Sequence, residues 1–228
     1  MVYPLIEFSF SPDLSLTIPD PDKLKATYET LLLNNTETEF PFWAKCWPSS
    51  LAMLSYLKSH PDTINHKLVL ELGAGIGLPS FFAAKTAASV ILTDYAKEAV
   101  ELMQINIDAL GCKNVKALEL DWNNYVGDIP ADIVLLSDVN YDERDFESLK
   151  LVLKSYLEKG VTILLATPYR INASSFVTYF SLFIQEQELI AVQNEGTEVT
   201  IGLFVLKYKC WITYVDNQIV FSSVTTSY

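Results

Sequence analysis

Cysteine is scarce in this chain. Cys46, Cys112 and Cys210 are widely separated and form no C-x-x-C pair. That excludes a disulfide framework and a thiolate zinc site, and a reducing cytosol fits such cysteine usage. Histidine is scarcer still: only His60 and His66 occur, both near the loop before the first core strand, and no metal site is legible. Positive charge is also short. Sixteen Lys and Arg stand against 28 Asp and Glu, a formal net charge of −12. Such a balance argues against a nucleic-acid partner, whose phosphates need a basic face, and is compatible with a basic protein substrate or a small cation. The first twenty residues hold no Lys or Arg to start a signal peptide, and no apolar run reaches membrane-spanning length. There is no internal repeat, low-complexity tract or linker. With half of its 228 residues apolar, the chain reads as one α/β domain large enough to bury a full core.

What is present is concentrated between Lys67 and Asp94. The apolar run Leu68-Val69-Leu70 ends at Glu71, and Gly73, Gly75 and Gly77 follow at every second position. An alanine-rich stretch from Leu78 to Ala88 reads as helix, and Val90-Ile91-Leu92 as a second strand closed by Asp94. Strand, glycine turn, helix, strand is one parallel βαβ unit with a nucleotide-type site at its open end. The glycines let backbone approach a ligand where a Cβ would collide, and the Asp94 carboxylate can accept two hydrogen bonds from a ribose diol. Spacing decides between cofactors. In the dinucleotide pattern G-x-G-x-x-G/A the sixth residue from Gly73 would be glycine or alanine, but it is Leu78. An NAD site is therefore disfavoured. The observed acid-x-G-x-G-x-G resembles the first motif of Rossmann-like S-adenosylmethionine (SAM) methyltransferases.

Around this unit, Leu5–Phe10 and Leu14–Ile18 read as an N-terminal β-hairpin turning at Ser11-Pro12-Asp13. Asp22 is expected to cap a helix from Lys23 to Leu33. Phe40 to Ser50 is an aromatic- and proline-rich segment that either walls a site or plugs the sheet end, with Pro48 suited to the first turn of a helix over Leu51–Lys58. Downstream, the periodicity predicts a helix over Ala96–Leu110 ended by Gly111, and strands at Val115–Leu120 and Asp132–Leu136. A helix over Asp145–Glu158, a strand at Val161–Ala166 and a helix over Ile171–Gln185 follow. The tail, Leu189–Val192, Val199–Tyr208 and Trp211–Phe221, is strand-rich, with a turn at Asp216-Asn217. The expected fold is therefore a Rossmann-like α/β domain. A mostly parallel twisted sheet carries helices on both faces, antiparallel C-terminal strands and the N-terminal hairpin. Residues 1–40 form an extension, 41–208 the catalytic core and 209–228 a C-terminal strand extension.

Taken in order, Trp47 of Cys46-Trp47-Pro48, Glu71-Leu72-Gly73-Ala74-Gly75-Ile76-Gly77, Thr93-Asp94, Asn106, Asp121-Trp122 and Ser137-Asp138-Val139-Asn140-Tyr141 resemble the family-16 methyltransferases of the seven-β-strand class. That group includes many protein lysine methyltransferases, and its bacterial relatives are often described as nicotinamide-N-methyltransferase-like. The resemblance spans roughly Phe42 to Tyr169. It implies SAM as cofactor, with S-adenosylhomocysteine (SAH) as product, and it distributes roles. Glu71 lies near the methionine ammonium, and Trp47 packs beside the cofactor. Gly73, Ala74 and Gly75 sit under its methionine end, and Asp94 takes the ribose hydroxyls. Asp121 and Trp122 meet the adenine, and Ser137 lines the cofactor at the end of the fourth strand.

Asp138-Val139-Asn140-Tyr141 matches the family's D-x-x-Y, which makes Asp138 and Tyr141 the catalytic candidates. A lysine amine, with a free pKa of about 10.4, must lose a proton before it attacks; an Asp can hold that amine and a tyrosine ring can stabilise cationic character beside it. No N-P-P-Y is present, which lowers the expectation of nucleobase or amide methylation. The acceptor expected from the resemblance is a protein lysine, with a small amine or pyridine-type acceptor as alternative. A non-catalytic SAM-binding protein is the alternative of a different class.

Overall fold

The computed structural model describes residues 2–34, 39–125, 127–139, 143–168, 171–194, 196–208, 210–215 and 218–223. Eleven strands and six α-helices lie among these residues. An antiparallel hairpin, β1 (Leu5–Ser11) and β2 (Leu14–Pro19), opens the chain. Helix α1 (Pro21–Asn34) follows, then α2 (Pro48–Ser59). The central sheet is built from β3 (Leu68–Leu72), β4 (Ser89–Asp94), β5 (Val115–Glu119), β6 (Ile133–Ser137) and β7 (Thr162–Pro168), all parallel. Helices α3 (Leu78–Ala83), α4 (Lys97–Leu110), α5 (Phe146–Glu158) and α6 (Ile171–Tyr179) connect or follow these strands. The hairpin of β8 (Ile184–Asn194) and β9 (Thr197–Leu206) completes a seven-stranded sheet of order β5-β4-β3-β6-β7-β9-β8, with β9 antiparallel to β7. Strands β10 (Cys210–Val215) and β11 (Gln218–Ser223) form a separate antiparallel pair. The expected turn at Asp216-Asn217 lies outside the described residues.

The period-two alternation of buried strands divides the core between the two faces. Val69, Leu135 and Leu164 pack with α2, α3, α4 and the inner side of β2. Leu70, Leu72, Val134, Leu136, Ile163 and Leu165 pack with α5 and α6 on the opposite face. The hairpin's inward residues, Leu14, Leu16 and Ile18, are all buried. Asn106 of α4, itself buried, fastens the hairpin. Its side chain accepts from the Thr17 N–H at 2.7 Å and donates to the Thr17 carbonyl at 2.9 Å, as a neighbouring strand would.

Three local expectations change. Asp20, not Asp22, caps α1: its Oδ1 accepts from the Asp22 N–H at 3.1 Å, and Pro21 supplies the donor-free first position. Helix α3 stops at Ala83, five residues early, because the chain must turn there to deliver β4. The stretch expected to be helical to Gln185 leaves the helix after Tyr179. Phe176 and Phe180 are buried, and from Ile184 the backbone pairs with β9 instead. The local helical period ends where sheet pairing takes over.

Candidate functional site

The strand order reverses between β3 and β6, since the chain winds outward through β4 and β5 and then returns to β6. Crevices of open α/β sheets form at such switch points, beyond the carboxyl ends of the strands. Here the ends of β3, β4 and β6 bring Gly73, Asp94 and Ser137 to one cleft.

The glycine turn is held from below. The Thr93 hydroxyl donates to the Glu71 carbonyl at 2.8 Å, and the Ala74 N–H donates to the Thr93 carbonyl at 2.8 Å. Gly73 and Gly75 both have positive φ, +64° and +54°. A Cβ on Gly75 would stand 2.9 Å from the Trp43 carbonyl oxygen, and one on Gly73 would meet Val139 at 2.7 Å and the Trp122 indole at 3.2 Å. Conformation and close approach both require glycine at these two positions.

Asp94 is buried at the tip of β4. Its Oδ2 accepts from the Gly75 N–H at 2.9 Å and its Oδ1 from the Ala96 N–H at 3.0 Å, so each oxygen keeps a lone pair for a further donor. Burial pushes its pKa up, opposed by the N–H groups of Ala96, Gly75 and Tyr95. Glu71, at the end of β3, is 1% exposed. Burial pushes its pKa up to about 8, against hydrogen bonding from Ser80, and the neighbouring Asp94 adds to the rise.

Polar atoms buried without a protein partner cluster here. Glu71 Oε2, Ser137 Oγ and Trp122 Nε1 are among them. Native interiors seldom leave such atoms unmatched, and three around one cleft fit a polar ligand carrying an amine, hydroxyls and a heteroaromatic ring. Two carboxylates, a glycine cradle and indole faces are the donor set that an adenosyl amino acid requires. The open cavity is narrow, about 70 Å³, and the Trp122 ring stands close to Gly73.

Of the residues expected at the site, Trp47, Gly73, Ala74, Gly75, Asp94, Trp122, Ser137 and Asp138 line the cleft. Glu71 lies behind the glycine turn. Asp121 is exposed and caps a short 3₁₀ turn, accepting from the Asn123 N–H at 2.9 Å and the Asn124 side chain at 3.1 Å. Tyr141 lies outside the described residues. Asp138 is buried with φ +60°, a left-handed conformation uncommon for a residue with a Cβ and a marker of functional sites. Its N–H donates to the Ala166 carbonyl of β7 at 2.9 Å.

Sequence reasoning did not single out Trp43, Lys45, Tyr95 or Val139, all of which also line the cleft. The aromatic segment serves as a wall of the cleft and also packs against the N-terminal segment and α1. Phe42, Trp43 and Trp47 wall the cleft, while Ala44 between them is buried in a small cluster with Tyr3 and Leu24. Trp47 Nε1 donates to the Phe42 carbonyl at 2.9 Å, and the two rings stack at 6.2 Å.

Residues 26–186 match the protein family described as lysine methyltransferase. The histone-arginine methyltransferase METTL23 of Xenopus laevis is 32% identical over 136 residues, which cover 57% of this chain and 58% of that protein. The chain thus spans less than two thirds of this relative's length. The protein-lysine methyltransferase METTL21E of Mus musculus is 30% identical over 200 residues, covering 79% of this chain and 78% of the relative. Among solved structures, the N-methyltransferase NodS from Bradyrhizobium japonicum, in complex with S-adenosyl-L-homocysteine, superposes with a TM-score of 0.57 at 11% identity. The match covers 78% of this chain and 97% of NodS. That likeness is one of fold.

Proposed function

The chain belongs to the lysine methyltransferase family and uses SAM as its methyl donor, and from that premise we propose that it methylates an amine nitrogen of a protein, a lysine ε-amine first. The observation that carries the reading is the position of Asp138. A buried carboxylate at positive φ stands at the end of β6, in the same cleft as Gly73 and Asp94.

When bound, SAM supplies an electrophilic methyl group on a sulfonium sulfur. The chain's own part is alignment, exclusion of water and handling of one proton. Asp94 takes the ribose hydroxyls with the lone pairs its two backbone donors leave. Glu71 answers the methionine ammonium, Gly73, Ala74 and Gly75 admit the methionine end, and Ser137 lines it. Asp121 and Trp122 take the adenine, the turn's own hydrogen bonds pinning the pair. Trp43 and Trp47 wall the cleft from water. Asp138 accepts a hydrogen bond from the incoming amine and takes its proton, leaving the nitrogen lone pair free to attack. The family resemblance gives Tyr141 the role of stabilising the cationic product.

A protein arginine is a second reading, favoured by the similarity to METTL23, a histone-arginine methyltransferase. The test uses SAM labelled in its methyl group, with core histones and nicotinamide as separate acceptors, followed by acid hydrolysis and identification of the labelled residue. Methyllysine supports the first reading and methylarginine the second. Label on nicotinamide alone turns the assignment to a small-molecule enzyme. SAH binding without any transfer of label identifies a binding protein instead.

A further inference from the structure

We propose that a groove between the N-terminal hairpin, α1 and the end of the β8–β9 hairpin docks the protein acceptor, taking an apolar side chain from a basic stretch next to the methylated residue. The inference rests on reading the neighbouring cleft as a site of protein methylation. The groove holds about 760 Å³, against about 70 Å³ for the cleft, which is room for several side chains. Ile6, Phe8 and Phe10, alternate residues of β1, give it one apolar face. Leu24 of α1, Phe40 and Leu51 of α2 also line it. Phe8 stays 43% exposed although its ring tilts against that of Phe10 at 4.8 Å between centres. The chain's own side chains thus cover this face only in part.

The groove and the cleft share a wall. Trp43 and Trp47 line the cleft, Ala44 and Cys46 the groove, and Lys45 borders both. Lys45 and Trp47 have extended backbone, which sends successive side chains to opposite sides, so the partition there is one chain thick. The rings of Phe40 in the groove and Phe42 in the cleft stand 5.1 Å apart across it. Both cavities open at the same end of the sheet. Pro168 ends β7 opposite Ile201, and the β8–β9 pair runs past that point to Gln193 and Asn194, which line the groove. A packed layer is about 10 Å thick and an extended peptide advances about 3.3 Å per residue. A peptide whose amine enters the cleft therefore crosses the partition and reaches the groove about three to five residues away. Charge selects the surroundings of the docked residue. Residues 1–40 hold seven acids and two lysines. Of those lining the groove, Lys25 is met by Glu29 at 3.8 Å and Asp20 by Lys23 at 3.0 Å, while Asp22 is exposed. A basic stretch is drawn to such a surface.

The experiment incubates the full chain and methyl-labelled SAM with a library of peptides long enough to span both cavities. Each has a central lysine and flanking positions drawn from Gly, Ser, Arg and Leu. The labelled peptides are sequenced, and positions are counted from the residue that carries the label. Leucine should be enriched about tenfold at a position about three to five residues to one side, the worth of one buried leucine. Phe8→Asp should abolish that enrichment and raise KM for an enriched peptide about tenfold, with kcat and SAH affinity held within about twofold. Asp22→Lys should lower the preference for arginine beside the leucine. Labelled peptides with no positional preference for leucine, or a preference unchanged in Phe8→Asp, overturn the docking groove while leaving the methylation reading intact. No label on any peptide removes the reading of a protein acceptor, and this inference with it. A wild-type dimer that dissociates in Phe8→Asp, measured by sedimentation, gives the groove to a second copy and likewise overturns the proposal.

Discussion

Glu71 sits where burial works hardest against charge. Its pKa is pushed up to about 8 in the fold, against an ordinary value near 4.3 in an unfolded chain. The folded state therefore holds more protons than the unfolded one across that interval. The stability contribution of neutral Glu71 is complete below the unfolded value and is lost as pH rises toward 8. Glu71→Gln should flatten this pH dependence between about pH 5 and 8 and make the ligand-free protein more stable at pH 8, measured by urea unfolding. A ligand ammonium beside Glu71 favours the charged form. SAH affinity should thus rise between pH 6 and 8 with release of a proton, read by calorimetry in buffers of different ionisation enthalpy. Proton release that persists undiminished in Glu71→Gln would assign it elsewhere, Asp94 being the next candidate. Asp138 calls for a different signature. Asp138→Asn keeps size and loses the base, so kcat should fall about 10²- to 10⁴-fold while SAH affinity stays within a few-fold. An equal loss of SAH binding would make Asp138 a cofactor residue.

At the scale of elements, the hairpin and α4 share an apolar cluster, and one side chain of α4 supplies a hydrogen-bonded joint. Asn106 satisfies both backbone groups of Thr17, groups that in an isolated hairpin would face water or another strand. Asn106→Ala leaves both without their partner and opens a small void, a cost of about 2–4 kcal/mol. The expected signature is local: amide exchange should accelerate first in β1 and β2, before the central sheet. Exchange that accelerates uniformly would mean that the hairpin and the sheet unfold as one unit. The glycine turn illustrates another kind of dependence. Its conformation is local, but the reason a Cβ is refused at Gly75 is the Trp43 carbonyl, thirty-two positions earlier in the chain.

At the scale of the whole molecule, ligand and fold are linked by mass action. SAH at a hundred times its dissociation constant adds about 2.7 kcal/mol to stability. For a chain of 228 residues this is a rise of roughly 5–10 °C in the unfolding midpoint. Asp94→Ala should remove most of that rise by deleting the ribose acceptor, and a full shift in that variant would place the ligand outside this cleft. No helix among the described residues is long and apolar enough to cross a membrane, in keeping with the absence of long apolar runs in the sequence.

The sequence by itself determined the βαβ unit, the parallel core strands, the N-terminal hairpin and, at the cleft, the glycine turn and Asp94, whereas Trp47, Trp122, Ser137 and Asp138 are expected there from the family resemblance. Each of the former has a local cause: a period of two or 3.6, a glycine spacing, or an acid at a strand tip. Tertiary structure alone decided where sheet pairing ends a helical period, as between Tyr179 and Ile184. It also turned Asn106 into a strand mimic and brought Trp43, Lys45, Tyr95 and Val139 to the cleft. The aromatic segment and the D-x-x-Y match mark the neighbourhoods of Trp43, Lys45 and Val139, but which residues of these stretches line the cleft depends on neighbours distant in the chain. The same holds for the charge of Glu71. An acid before a glycine is visible in the letters, but its raised pKa comes from the layers packed around β3.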